Sequence, residues 1–156
     1  MKNVTYRVTF SYNRCCISWL RAGAIVIDDD PGVLNYLRFV LERSGYEVYT
    51  YDGPAEFPLY KSSGCPCSLH QTGCPDLIIS DVIMHRANGL ELLESFIQKG
   101  CRCRHLALIS GTTITGKYLD RMDKYGIRFF LKPLDLDDFY DWLGKVAKEI
   151  AERPSA

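Results

Sequence analysis

Ala24-Ile25-Val26-Ile27-Asp28-Asp29-Asp30-Pro31 is the stretch on which the fold turns. Four apolar residues in succession stop abruptly at three acids. A run that is apolar at every position, rather than at alternate ones, suits a strand buried on both faces, as in the centre of a parallel sheet. Asp30-Pro31 then reads as the N-cap and first residue of a helix. Val33, Leu34, Leu37, Val40 and Leu41 share one face of that helix, and Gly45 stops it.

Downstream the same unit recurs. Residues 47–50 resume an extended pattern. Residues 53–75 form an insertion rich in Gly, Pro, Ser and Cys, in which 55–60 could make only a stunted helix. A second buried strand, 76–80, ends at Asp81, and Leu90, Leu93, Phe96 and Ile97 mark a helix stopped by Gly100. A third, 106–109, ends at Ser110-Gly111. Ile114, Tyr118, Leu119, Met122 and Tyr125 give another amphipathic helix, stopped by Gly126. The strand 127–131 runs into Lys132-Pro133, and Leu136, Phe139, Tyr140, Leu143, Val146, Ala147 and Ile150 outline the last helix. About five alternations of strand and helix with short links predict a parallel sheet with helices on both faces.

The length of 156 residues fits one domain with short extras. Lys plus Arg and Asp plus Glu are 19 each, which argues against a basic nucleic-acid module and against an acidic disordered tail. Four of the basic residues (Lys2, Arg7, Arg14, Arg21) and none of the acids precede Asp28, so a basic leader over 1–22 precedes a mildly acidic domain over 23–152. The leader lacks the sustained apolar run of a signal peptide, and 5–12 could form an edge strand or be disordered. No apolar stretch approaches the ~18–20 residues of a membrane span. The expected location is cytoplasmic, with no membrane insertion and no direct contact with nucleic acid. Seven cysteines, an odd number without an export signal, argue against a pure disulfide framework.

Polar residues stand where the buried strands end: Asp28 and Asp29, then Asp81, Ser110 and Lys132. In an open parallel sheet these ends share one edge, where ligands bind at the topological switch point. Like charges ~4 Å apart at an effective dielectric near 20 repel by about 4 kcal/mol per pair, so three carboxylates there call for a cation. Hard oxygen ligands with room for water and a phosphate oxygen suit Mg²⁺ better than zinc. Lys132 would neutralise phosphoryl charge and the Ser110 hydroxyl would donate to a phosphoryl oxygen, completing a site with a carboxylate nucleophile. Asp30 keeps the plain role of helix cap.

These stretches, together with Asp76-Leu77-Ile78-Ile79-Ser80-Asp81-Val82-Ile83-Met84, Asn88-Gly89-Leu90-Glu91-Leu92-Leu93, Leu108-Ile109-Ser110-Gly111 and Phe129-Phe130-Leu131-Lys132-Pro133, resemble the receiver domain of bacterial two-component response regulators over about 23–150. The resemblance implies a flavodoxin-like sheet of order 2-1-3-4-5 and a cis Lys132-Pro133 bond. It implies that Asp81 is the phosphoacceptor, and that Asp29 binds Mg²⁺ directly, Asp28 mostly through water and Ile83 through its carbonyl. Ser110 would be the switch hydroxyl and Phe129 the aromatic switch. It further implies a non-enzymatic signalling protein of a phosphorelay with slow self-dephosphorylation. Its partners would be a histidine kinase or phosphotransfer protein and an unknown downstream protein, and a homodimer is compatible with it. His85 stands where the family usually has proline. Only 152–156 follow the last helix, so the expectation is a stand-alone receiver.

Two other readings stand beside this one, the first a rival and the second compatible with it. A phosphatase of the haloacid dehalogenase type would use Asp28-Asp29-Asp30, Ser110 and Lys132. It needs metal-binding acids at a further strand end, where Asp135, Asp137 and Asp138 instead open a helix, and it leaves Asp81 without a role. A metal or thiol sensor on a receiver scaffold would use Cys65, Cys67, His70 and Cys74 before one central strand, with Cys101, Cys103 and His105 before the next. Those groups converge on the sheet edge opposite Asp81, where they could bind zinc, form a disulfide or stay reduced. Cys15 and Cys16 have no assignment.

Overall fold

Residues 22–54 and 74–153 are described by the computed structural model of the chain. The first apolar run is β1 (Gly23–Ile27), buried at every position. It leads into α1 (Pro31–Arg43), whose N-cap Asp30 accepts the Gly32 and Val33 amides at 2.7 and 3.3 Å. Then come β2 (Glu47–Tyr51), β3 (Leu77–Asp81), a two-strand hairpin of β4 (Ile83–Met84) and β5 (Ala87–Asn88), and α2 (Gly89–Gln98). The chain continues through β6 (His105–Ser110), α3 (Lys117–Tyr125), β7 (Arg128–Leu131) and α4 (Leu136–Ala151). Gly45, Gly100 and Gly126, read as helix stops, all take positive φ.

The main sheet is parallel, in the order β2-β1-β3-β6-β7. Counted along the sheet strands alone this is the expected 2-1-3-4-5, with the switch point between β1 and β3. Alternation of side chains divides the core in two. Ala24, Val26, Leu77, Ile79, Ala107, Ile109 and Phe130 pack under α1 and α4. Ile25, Ile27, Ile78, Leu106 and Leu108 pack under α2 and α3. The successive apolar positions of β1, β3 and β6 are thus explained, since each strand has a helix layer on either side. Phe130 meets Phe139 and Trp142 edge to face in the first layer, with ring centroids 5.1 and 5.3 Å away.

Three sequence readings need correction. Ile114 precedes α3 rather than belonging to it, because Gly116 caps that helix, although its side chain still packs on the second core layer. Leu119 and Leu136 carry apolar side chains at helical spacing yet are exposed. His105 is the first residue of β6, buried and registered with Leu77, rather than a loop residue ahead of the strand. The expected stunted helix and most of the insertion lie outside the described residues, as do 1–21 of the leader. Among the described residues no helix is long and apolar enough to cross a membrane.

His105 carries a consequence for acid stability. Its Nε2 is buried with no hydrogen-bond partner, and the Glu149 carboxylate is 3.9 Å away. Burial holds the imidazole below the ordinary value of 6.5, with Arg153 and Arg104 acting in the same sense and Glu149 and Asp76 opposing. Above pH 6.5 the group is neutral in both states and contributes nothing. Below it the unfolded chain takes the proton and the fold does not, so stability falls with pH, by at most about 1.4 kcal/mol per pH unit. Urea titrations at pH 7 and pH 5 are expected to show a smaller loss for His105→Gln than for wild type. Equal losses would rule out this residue as a source of acid sensitivity.

Candidate functional site

Asp28 immediately follows β1, and Asp81 is the last residue of the neighbouring strand β3, so parallel pairing alone brings the two carboxylates to one edge. Both are buried, while Asp29 is exposed at the rim. Oxygens of Asp28, Asp29 and Asp81 all lie within 4.8 Å of one another. Lys132, just past β7, spans the crevice: its Nζ is 2.8 Å from Asp28 Oδ2 and 2.9 Å from Asp81 Oδ1. The Lys132 amide donates to the Ser110 carbonyl at 2.7 Å and ties that turn to β6, and the Lys132–Pro133 bond is cis.

Burial pushes the Asp81 carboxyl above the ordinary carboxylate range. Asp28 and Asp29 add to the effect, while the hydrogen bond and charge of Lys132 oppose it. Burial pulls the Lys132 ammonium down, but Asp28 and Asp81 outweigh it and hold its pKa above the ordinary lysine value. Lys132 therefore pairs with two of the three acids, Asp28 and Asp81. Asp28 is further committed through Oδ1, which accepts the Asp30 amide at 2.9 Å.

Ser110 ends β6 fully buried, its hydroxyl accepting the Thr112 amide at 3.2 Å and lying 3.3 Å from Thr112 Oγ1. Phe129, on β7, is half-buried against the second core layer. Ile83 lies in β4 with its side chain largely exposed, two residues beyond Asp81. Of α3, Met122 is core, whereas Tyr118 and Tyr125 are half-buried.

Three contacts at the site go beyond the sequence reading. The main-chain N–H of His85 donates to Asp29 Oδ2 at 2.7 Å, so the contribution of this residue is its backbone rather than its exposed imidazole. The Asn88 side chain caps α2 through the Leu90 and Glu91 amides and donates to the Tyr118 hydroxyl at 3.0 Å, joining α2 to α3. Gly89 is pressed against the Asp81 carbonyl. The Asn-Gly dipeptide marks the second and third of these in the sequence. Nothing in the sequence marks the first.

At the opposite edge, ahead of β3 and β6, lie Cys74, Cys101 and Cys103. Cys74 Sγ accepts the Arg102 amide at 3.2 Å, and buried Cys103 donates to the His105 carbonyl at 3.5 Å. Burial pushes the Cys103 thiol well up, with Cys101 and Cys74 adding to it, which suits a packed apolar thiol better than a ligating thiolate. Among the described residues the aspartate trio is the sole group of three or more donors close enough to share an ion. Cys65, Cys67 and His70 lie outside the described residues, as do Cys15 and Cys16.

A family model described as the response regulator receiver domain matches residues 24–143. The alkaline phosphatase synthesis transcriptional regulatory protein PhoP of Bacillus subtilis is 33% identical over 75 residues, covering 48% of this chain and 28% of that protein. The transcriptional regulatory protein FixJ of Azorhizobium caulinodans is 38% identical over 84 residues, covering 54% and 34%. This chain thus spans about a third or less of the curated relatives it matches. A crystal structure of a response regulator receiver protein from Pseudomonas putida superposes with a TM-score of 0.64 at 23% identity, covering 81% of this chain and 98% of that one. That likeness bears on the fold alone.

Proposed function

The chain belongs to the response regulator receiver domain family, and from that premise we propose that it is a phosphoacceptor whose nucleophile is Asp81. The observation that carries the proposal is a buried carboxylate at a strand end, 2.9 Å from a lysine ammonium and clustered with two further acids. The donor set fits Mg²⁺, because three hard carboxylates cluster while Lys132 pairs with only two of them, and Asp81 holds its proton more tightly than usual, leaving repulsion for a divalent ion to relieve. Asp28, Asp29, Asp81 and the Ile83 carbonyl would hold it. Bound there, it would supply positive charge to the phosphoryl oxygens.

In this reading an Asp81 oxygen attacks the phosphorus of a phosphohistidine on a histidine kinase or phosphotransfer protein. The O–P bond forms as the P–N bond breaks, and the imidazole leaves with the electron pair. The Lys132 ammonium, already at Asp81 Oδ1, moves its charge to a phosphoryl oxygen, and the Ser110 hydroxyl turns from Thr112 to donate to another. Ser110 and Phe129 would then shift together and change the face formed by α3, β7 and α4. That change alters affinity for a downstream protein only if the partner distinguishes the two states. Water slowly hydrolyses the acyl phosphate and returns Asp81 to the carboxylate.

Intact-mass measurement after incubation with acetyl phosphate and Mg²⁺ tests the proposal. Wild type is expected to gain one phosphate mass and Asp81→Asn none. Equal labelling of both would remove Asp81 from its role, and steady turnover of p-nitrophenyl phosphate without a labelled protein would favour a phosphatase instead.

A further inference from the structure

Asp29 is the exposed member of the acid trio, and a solvated carboxylate at a rim is free to rotate unless something holds it. Here the His85 main-chain N–H does so, donating to Oδ2 at 2.7 Å across 56 residues of sequence. We infer that this amide is a positioning donor for the cation site: it fixes Asp29 through one oxygen and leaves the carboxylate aimed at Asp28 and Asp81. The inference rests on the reading of this trio as a Mg²⁺ site.

Two observations support it. With the hydrogen bond in place, the three carboxylates already present oxygens within 4.8 Å of one another. Each carboxylate also has its own anchor, for Asp28 is held by Lys132 and the Asp30 amide, and Asp81 by Lys132. The His85 amide completes that set. It is also available at no cost to the hairpin. Met84 pairs with Ala87, so His85 and Arg86 are the two turn residues, and the amide of the first takes no part in the β4–β5 ladder. Proline has no N–H and could not make the contact. Donors to metal-ligating carboxylates commonly change metal affinity by 10–100-fold when removed.

The site and the hairpin are therefore coupled through one main-chain bond, and position 85 acts through its backbone. The test is isothermal calorimetry of Mg²⁺ binding to wild type, His85→Ala and His85→Pro, with metal-free melting as the check on folding. His85→Ala keeps the amide and is expected to bind within about twofold of wild type, whereas His85→Pro is expected to bind about 10-fold more weakly. Binding by His85→Pro equal to wild type overturns the inference. Equal weakening of both variants also overturns it, by moving the effect to the imidazole. Absence of Mg²⁺ binding by wild type overturns the metal reading itself, a different result from either of those. A second readout needs no variant: the His85 amide resonance is expected to stay downfield when ¹⁵N-labelled wild type is saturated with Mg²⁺. Its collapse to a solvent-exposed position would make the amide a competitor of the ion and sink the positioning role.

Discussion

Gly89→Ala is expected to lower stability by roughly 3 kcal/mol, about 10 °C in Tm for a domain of this size. The direction is the informative part. Glycine at the first position of a helix ordinarily costs stability relative to alanine, by up to about 1 kcal/mol, so a routine substitution would stabilise. At Gly89 a Cβ would stand 1.9 Å from the Asp81 carbonyl oxygen and 2.9 Å from its carbon, contacts that real side chains do not make. The Ser80 hydroxyl, at 2.8 Å, could rotate away, but the β3 backbone could not. Either α2 lifts and opens space under Leu90, Leu93 and Phe96, or the end of β3 moves and displaces Asp81 with it. Gly111→Ala, where an added Cβ meets nothing within 4 Å, is the control and is expected within about 0.5 kcal/mol of wild type. Guanidinium unfolding compares them, and a Gly89→Ala protein as stable as wild type would show that the helix and strand do not abut so closely.

Asp81→Asn is expected to act in the opposite direction in metal-free buffer at neutral pH, raising stability on the order of 1 kcal/mol. Because burial raises the folded-state pKa of Asp81, this group favours the fold below the ordinary value of 3.8, and that contribution is lost as pH rises through the raised value. At neutral pH wild type therefore carries the full cost of a buried charge beside Asp28 and Asp29, which the amide does not. Mg²⁺ is expected to reverse the ranking. At 100 times its dissociation constant a ligand adds ~2.7 kcal/mol to the state that binds it, and the Asn variant, with one anionic ligand fewer, gains less. Melting curves of both proteins with and without millimolar Mg²⁺ give all four values. An unchanged wild-type Tm under conditions where Mg²⁺ binding is separately demonstrated would mean that repulsion among the carboxylates is not what the ion relieves.

Both expectations rest on close approaches that differ in how far they were readable beforehand. The strand-helix alternation, the two-sided burial of β1, β3 and β6, the Asp30 cap and the glycine stops follow from local chemistry, because apolar period and backbone conformation are properties of short segments. The gathering of Asp28, Asp81 and Lys132 also follows, since parallel strands necessarily end on one edge and the residues at their ends must meet. The thiols show the limit of that reasoning. Topology does carry Cys74, Cys101 and Cys103 to a common edge, yet which thiol is buried and which accepts an amide depends on the packing around β6.

By itself, then, the sequence determined the architecture and which acids and which lysine share the crevice, for those depend on segment periodicity and chain direction. Tertiary structure alone decided that Asp29 is held by the amide of His85, that Gly89 has no room for a methyl group and that His105 is buried in β6 with its Nε2 unpartnered. Each of those depends on distances of 2–4 Å between segments that packing brings together. Backbone N–H groups and unmet hydrogen bonds carry no residue-type signature, and a glycine in the sequence does not say which backbone its missing Cβ makes room for, so only the packed fold reveals them.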